Sequence, residues 1–150
     1  MNKQHAQIIR GITAIFWLGF FMAISFMEAP LKFTAPGITI AQGVQIGRII
    51  FGVLNKCEWT FLLLIIITCF LDRPRAAVLY FIIIAGAILL TETAWLLPQL
   101  DTRAIQYISG QQRQGKDIHW IYILLEIIKV PFLFMIGWLE LAGKWSQTKT

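Results

Sequence analysis

Four long apolar stretches restrict the fold of this chain more than any other feature of its sequence. They cover residues 9–28, 46–71, 76–97 and 118–139, and each is close to the ~20 residues that a helix needs to cross a bilayer. The composition agrees, because 57% of the residues are apolar, only 14% are charged and the mean hydropathy is +0.68. These values exclude an ordinary soluble domain and leave no room for a separate soluble catalytic module. We therefore predict an all-α fold, an integral membrane four-helix bundle that forms one domain over residues 1–150.

The positive charges that flank the spans indicate the orientation in the membrane. An even number of spans puts both termini on one side. That side carries Lys3, Arg10, Arg73, Arg75, Lys144 and Lys149, and the loops on the other side carry Lys32, Arg103, Arg113 and Lys116. The positive-inside rule therefore favours cytoplasmic termini. The net charge of +5 is spread over these flanks without a basic run, which indicates contact with the lipid bilayer and no nucleic-acid partner.

Prolines and polar residues predict where the spans end. Pro30 is expected to stop the first helix and Pro98 the third, because proline ends helices. Residues 31–47 are expected to form an interfacial connection, and residues 99–117, the most hydrophilic part of the chain, a flexible loop.

The fourth span carries a polar stripe. His119, Tyr122, Glu126 and Lys129 are spaced three, four and three residues apart, which puts them within roughly an 80° arc of one helix face. Ionisable groups inside a membrane are costly and usually face the bundle interior, so they indicate a functional site. The alternative is that Glu126 and Lys129 neutralise each other, or pair with other helices, for structural reasons.

The second span carries a similar stripe. Its cleanly apolar part, residues 59–71, is too short to cross a bilayer, so the helix has to include the polar turns before it. Within those turns Arg48, Asn55 and Glu58 fall within roughly 80° of one face. The alternative is a helix whose first half projects from the membrane into water.

These polar residues are expected to lie in one half of the membrane. Because successive spans alternate in direction, the ends of the first and third lie level with the starts of the second and fourth. The residues at this level are Glu28, Arg48, Asn55, Glu58, Glu92, His119, Tyr122 and Glu126. Each span thus contributes one carboxylate, and the opposite half has essentially no ionisable group between the flanking charges. We predict a one-sided polar pocket.

Three kinds of chemistry fit such a pocket. Helical bundles build di-metal centres from Glu-x-x-His pairs, but His119 is seven residues from Glu126 with no second histidine beside them, and we assign no metal ligands. A proton- or cation-coupled transport site would use buried carboxylates such as Glu58 or Glu126. An enzyme pocket would use Arg48 to bind an anion and a carboxylate or Tyr122 to handle a proton. An ion-paired interior that only fixes the helix register is the structural alternative.

The stripe of the second span resembles a local pattern in the membrane-associated proteins of eicosanoid and glutathione metabolism, which include leukotriene C4 synthase and the microsomal glutathione transferases. Arg48, Asn55 and Glu58 match the spacing of that pattern, whereas Phe51 stands in place of its second arginine and Gly52 in place of its alanine. The resemblance implies a trimer with glutathione as cofactor and lipophilic substrates. It also implies a site between subunits that contains Arg48 and Glu58.

The layout of the whole chain is similar to that of small four-span bacterial proteins related to transmembrane protein 205. The matching features are Glu28-Ala29-Pro30 at the end of the first helix, a glycine-containing connection, the Trp95-x-x-Pro98 end of the third, and His119 at the start of the fourth. This resemblance implies the fold and a membrane location, here a bacterial inner membrane, but no established chemistry.

Taken together, the patterns predict a polytopic membrane protein whose carboxylate-rich pocket, in one leaflet half, binds or translocates a small solute or cation. Two alternatives stay open: a glutathione-transferase-like enzyme, and a structural membrane protein with an ion-paired interior. No cofactor is predicted apart from glutathione under the enzyme alternative. Homo-oligomerisation is possible under each of these three functions.

Overall fold

The chain folds into four long helical segments that are long and apolar enough to cross a membrane. The computed structural model describes residues 3–110 and 117–142, and within these ranges it contains no β-strand. The four segments are α1 (Lys3–Thr34), α2 (Ile40–Leu71), α3 (Ala76–Ile108) and α4 (Asp117–Ala142). The predicted all-α membrane bundle is confirmed. Lys144, Lys149 and residues 111–116, which include Arg113 and Lys116, lie outside the described residues, and the orientation of the termini stays a prediction.

The connection between α1 and α2 is shorter than predicted. The helical path of α1 continues to Thr34 and α2 already begins at Ile40, so most of residues 31–47 is helical. A capping box starts α2: the Thr39 hydroxyl accepts a hydrogen bond from the Gln42 amide (3.3 Å), and the Gln42 side chain accepts one from the Thr39 amide (2.8 Å). Two otherwise unpaired amides are thereby satisfied, so the helix starts well before the apolar run.

The prediction that Pro30 and Pro98 end their helices was wrong. Each proline follows a π-helical segment, Ala23–Glu28 in α1 and Glu92–Leu96 in α3, and the helical path continues beyond it. A proline lacks the backbone N–H, and its ring collides with the carbonyl four residues earlier, whereas the wider π turn relieves this conflict. The predicted loop after Pro98 is therefore an α-helix, Leu97–Ile108, over most of its described part.

The helices form a ring in which α1 packs against α2 and α4, and α3 packs against α4 and α2. A core of large apolar side chains fills the ring: Trp17, Phe21, Leu54, Ile65, Leu89, Leu133 and Ile136. Other large apolar residues, such as Phe70 with 86% of its surface exposed, point away from the core. An outer surface of this kind is consistent with contact with the lipid bilayer.

The two halves of the chain share one layout, in which a helix with a π segment and a proline is followed by a helix with a buried glutamate. The number of residues from Pro30 to Pro98 equals the number from Glu58 to Glu126. In these features the chain shows an internal repeat of two helical hairpins.

A second buried cluster of charges lies at the other end of the bundle, where the sequence analysis expected none. Arg10 has no exposed surface; its guanidinium donates a hydrogen bond to Glu140 (3.0 Å) and lies 3.6 Å from Asp72. It also donates to the carbonyl oxygens of Thr68 (3.3 Å) and Asp72 (3.1 Å). The sequence analysis treated Arg10 as a flanking charge and placed Glu140 outside the fourth span. Both are inside because α1 and α4 extend further than the apolar runs.

Candidate functional site

The centre of the candidate site is a buried ammonium surrounded by three carboxylates. The Nζ atom of Lys129 lies 2.7 Å from Glu58 Oε1, 2.7 Å from Glu92 Oε2 and 3.3 Å from Glu126 Oε1. None of the four residues has more than 1% of its surface exposed. We call these four residues the carboxylate cluster.

All four helices contribute to the cluster or its immediate surroundings. Glu58 lies on α2, and Glu126 and Lys129 are one turn apart on α4. Glu92 is the first residue of the π segment in α3. From α1, the Trp17 indole donates a hydrogen bond to Glu58 Oε1 (2.9 Å), and the Phe21 ring centroid lies 5.3 Å from the Lys129 ammonium. The site therefore depends on the packing of the whole bundle.

The charges and hydrogen bonds of the cluster are not balanced. One ammonium faces three carboxylates, and Glu92 Oε1 and Glu126 Oε2 are buried without a hydrogen-bond partner among the described residues. Burying an unpartnered charged oxygen is costly, so such atoms call for an explanation, such as an ion, a proton or a water molecule. The excess negative charge and the unpartnered oxygens of the cluster thus favour the binding of an additional cation.

A large cavity leads to the cluster from the end of the bundle that holds the α1–α2 connection. Its volume is about 1060 Å³, and its lining comes from all four helices. The polar part of the lining consists of Ser25, Lys32, Arg48, Asn55, Thr93, Asp101, Arg103, Tyr107, His119, Tyr122 and Glu126. Because Glu126 belongs both to this lining and to the cluster, the cavity reaches the cluster at this one carboxylate; the other three cluster residues are not part of its lining.

The structure separates the predicted site residues into three groups. Glu58, Glu92, Glu126 and Lys129 form the carboxylate cluster. Arg48, Asn55, His119 and Tyr122 line the cavity together with Glu126. Glu28 joins neither group, because its carboxylate pairs with Lys32 one turn later (3.4 Å). The expectation that each helix supplies one carboxylate to the pocket is therefore wrong for α1, which contributes the Trp17 indole instead.

The stripe on α2 reaches three different partners. Arg48 forms an ion pair with Asp101 near the surface, and Glu58 contacts Lys129. Asn55 donates a hydrogen bond to Thr93 Oγ1 (2.8 Å). The Trp59 indole donates to the same oxygen (2.9 Å). The α2 stripe thereby anchors the π segment of α3, and it does not form a single anion-binding group.

The sequence analysis missed Trp17, Ser25 and Thr93. A lone tryptophan or hydroxyl in an apolar run gives no signal of its own, because its role depends on the neighbouring helices. Ser25 and Thr93 do share a signal: each precedes a proline, Pro30 or Pro98, by the same interval, and each lies in a π segment. Because π segments frequently mark functional sites, this repeated spacing is the sequence feature that points to them.

The three glutamates of the cluster could share a metal ion. One carboxylate oxygen from each of Glu58, Glu92 and Glu126 lies within 4.8 Å of the other two, and carboxylate oxygens suit hard cations. The ammonium of Lys129 lies among the same oxygens, so any added cation would compete with it. The sequence analysis assigned no metal ligands because it looked for histidine pairs.

Comparisons of the chain with protein-family models, with curated proteins and with solved structures found no match. The two resemblances drawn from the sequence therefore stay predictions, and the argument for a function rests on the site.

Proposed function

We propose that this membrane protein binds a small cation in the carboxylate cluster and that binding is one step in carrying a cationic solute across the membrane. The observation that supports the proposal is the imbalance of the cluster. Three buried carboxylates share one ammonium, and two of their oxygens are without a partner among the described residues. An added cation offsets part of this excess negative charge and gives the unpartnered oxygen of Glu126 a partner.

The path to the cluster is open from one end and closed from the other. The cavity of about 1060 Å³ reaches Glu126 from the α1–α2 end. Towards the opposite end, the next turns of α2 and α4 bury Leu62, Ile65, Leu133 and Ile136. A site reached from one side and sealed from the other is the arrangement expected of one state of an alternating-access cycle.

The ammonium group of Lys129 competes with an added cation for the carboxylates of the cluster. When no cation is bound, its ammonium neutralises part of the carboxylate charge at 2.7 Å from Glu58 and from Glu92. When a cation enters, the ammonium has to share or give up these contacts. This competition keeps the empty site stable and limits how tightly a cation binds.

The structural alternative is less well supported. A purely structural cluster is expected to pair all its carboxylates and to leave no cavity beside them. Each of the three carboxylates does contact Lys129, as this alternative requires. Two of their oxygens are nevertheless unpartnered among the described residues, and a cavity reaches Glu126.

The glutathione-enzyme alternative requires a site between subunits that contains Arg48 and Glu58. In this chain Arg48 pairs with Asp101, and Glu58 pairs with Lys129, within a single copy. Both residues that the intersubunit site requires are thus already paired within one copy of the chain.

Thermal unfolding of the purified protein in detergent tests the proposal. We would measure the unfolding midpoint with monovalent and divalent cations, organic ammonium ions, glutathione and lipophilic compounds across pH. A cation that binds the folded state raises the midpoint by roughly 5–11 °C at a hundredfold excess over its Kd. We expect such a rise for at least one cation, and no rise in Glu126→Gln.

Glu28→Gln is the matched control, because Glu28 is a carboxylate at the same end of the bundle that pairs outside the cluster. It should keep a clear cation response, reduced at most by the uncompensated charge of Lys32 at the mouth of the cavity. If no cation moves the midpoint of the wild type, or if Glu126→Gln keeps the response, the proposal is wrong.

A further inference from the structure

Two residues of the cavity lining, Glu126 and Ser25, each have a buried polar atom without a partner among the described residues. Glu126 Oε2 and Ser25 Oγ are both buried and make no hydrogen bond among the described residues, and both residues line the cavity. Glu126 itself has 1% of its surface exposed. A carboxylate oxygen accepts hydrogen bonds only, and a hydroxyl oxygen accepts them as well, whereas an ammonium group supplies three donors. The unpartnered carboxylate oxygen of Glu126 therefore fits a ligand that ends in an ammonium group.

The size of the cavity indicates more than an inorganic ion. At about 1060 Å³, it matches the upper range of pockets for small organic molecules, roughly 300–1000 Å³. Its walls include Phe26, Phe33, Val44, Phe51 and Leu97, which provide a large apolar surface. The ring centroids of Phe51 and Tyr122 lie 5.6 Å apart, edge to face, so aromatic surface extends close to Glu126.

The distribution of charge favours a cation with its charged end inward. Three cationic side chains among the described residues, Lys32, Arg48 and Arg103, belong to the lining. Lys32 is paired with Glu28 and Arg48 with Asp101, so two of these positive charges are compensated. At the inner end the carboxylates are in excess over Lys129. An anionic head group at the inner end would meet this excess negative charge.

The internal repeat explains why Ser25 is without a partner. Thr93 holds the corresponding position in the second half and receives hydrogen bonds from Asn55 and Trp59. The positions on α4 that correspond to Asn55 and Trp59 are occupied by Ile123 and Ile127, which cannot donate. One half of the repeat thus satisfies its hydroxyl internally, and the other half leaves the Ser25 hydroxyl without a partner among the described residues.

We propose that the cavity binds an amphipathic organic amine, with its ammonium group at Glu126 and its apolar body against the cavity wall. This inference rests on the proposed function and names the class of its ligand. The ligand enters from the open end with the ammonium group first. The carboxylate cluster then supplies the negative charge that holds it.

Two glycines provide a matched pair of variants to test this inference. A Cβ atom added at Gly52, which lines the cavity, or at Gly19, which does not, meets no atom within 4 Å. Gly52→Leu therefore reduces the space of the cavity, and Gly19→Leu adds the same side chain elsewhere on a helix. Neither substitution forces a side chain into a packed wall.

Isothermal titration calorimetry in lipid nanodiscs provides the measurement, with phenylbutylamine, the uncharged phenylbutanol of similar shape, and methylamine as probes. We expect the wild type and Gly19→Leu to bind phenylbutylamine and to discriminate against phenylbutanol. Gly52→Leu and Glu126→Gln should each weaken phenylbutylamine binding by about tenfold or more, because one removes space and the other a charge-assisted hydrogen bond. Ser25→Ala should weaken it less than Glu126→Gln does.

Two outcomes would overturn the inference. Equal binding of phenylbutanol would show apolar partitioning only, and undiminished amine binding in Gly52→Leu would place the amine elsewhere. Methylamine separates the inference from the proposed function. If a small cation stabilises the wild type in a Glu126-dependent way but phenylbutylamine does not bind, the proposed function stands and the inference fails.

Discussion

At the residue scale, Lys129 is the side chain on which the site depends most. Its ammonium contacts three buried carboxylates, and it has no exposed surface. Removing one partner of a buried ion pair leaves uncompensated charge and typically costs about 3–5 kcal/mol. We predict that Lys129→Met lowers the free energy of unfolding by an amount in this range, measured by denaturant or thermal unfolding in detergent.

The double variant Lys129→Met/Glu92→Gln is the control for that prediction. Neutralising Glu92 removes one of the orphaned charges, so the double variant should be more stable than Lys129→Met alone. If Lys129→Met unfolds like the wild type, the ammonium does not hold the cluster together.

A second residue-scale prediction concerns Trp17, whose indole donates to Glu58. Trp17→Phe keeps most of the packing but leaves a buried carboxylate without this donor, which costs about 1–3 kcal/mol. Trp138→Phe serves as the control, because Trp138 is exposed at the outer surface and should change stability little. Equal loss in the two variants would mean that ring size, and not the hydrogen bond to Glu58, matters at Trp17.

The sequence predicted the stripes of the site but not their partners. His119, Tyr122, Glu126 and Lys129 lie on one face because helical spacing is local geometry. The contact of Lys129 with Glu92, and the absence of Glu28 from the cluster, depend on how each helix is rotated and shifted against its neighbours. That information is distributed over all core contacts and is not present in any single stretch.

At the scale of secondary-structure elements, the π segments place the functional side chains. Glu92 begins one of them, and Thr93, which receives two hydrogen bonds from α2, is the next residue. A π turn contains one residue more than a turn of regular α-helix. If the segment becomes regular α-helix, the residues before it therefore turn by roughly 100° about the helix axis relative to the residues after it. The segment thereby determines which side chains of α3 point to the cluster.

We predict that Pro98→Ala allows α3 to return to regular α-helix and moves Glu92 away from Lys129. The cation-dependent rise in the unfolding midpoint should then be lost or greatly reduced. Pro131→Ala is the matched control, because Pro131 lies within the continuous α-helix α4 and should leave the cation response intact. A full response in Pro98→Ala would show that the π segment does not set the geometry of the site.

The helix ends were the least predictable part of the elements. Pro30 and Pro98 were interpreted as stops and the polar residues after them as loops, whereas π segments let both helices continue. Proline rules describe an isolated helix. In the bundle, packing against α2 and hydrogen bonds such as the one from Asn55 to Thr93 offset the local cost.

At the scale of the whole molecule, two buried charge clusters divide the bundle into an open end and a closed end. The carboxylate cluster connects to the cavity, whereas Arg10, Asp72 and Glu140 join α1, α2 and α4 at the other end. Apolar core residues separate the two clusters. This division gives the two ends different expected roles, binding at one and closure at the other.

We predict that Arg10→Met destabilises the fold by about 3–5 kcal/mol, because it orphans the buried carboxylate of Glu140, but leaves the rise in midpoint caused by the cation unchanged. Arg48→Gln, which breaks an exposed ion pair, should alter stability little. Loss of the cation response in Arg10→Met, with the fold intact, would mean that the two clusters act as one site.

We propose the carboxylate cluster as the place where a cation binds on its way through the protein. Uptake into proteoliposomes tests it most directly, with methylamine and phenylbutylamine as labelled substrates, and with wild type, Glu126→Gln and Glu28→Gln reconstituted at equal density. We expect uptake above the level of protein-free vesicles for the wild type and Glu28→Gln, and none above that level for Glu126→Gln. Equal uptake by wild type and Glu126→Gln, or none above protein-free vesicles for the wild type, would contradict the account.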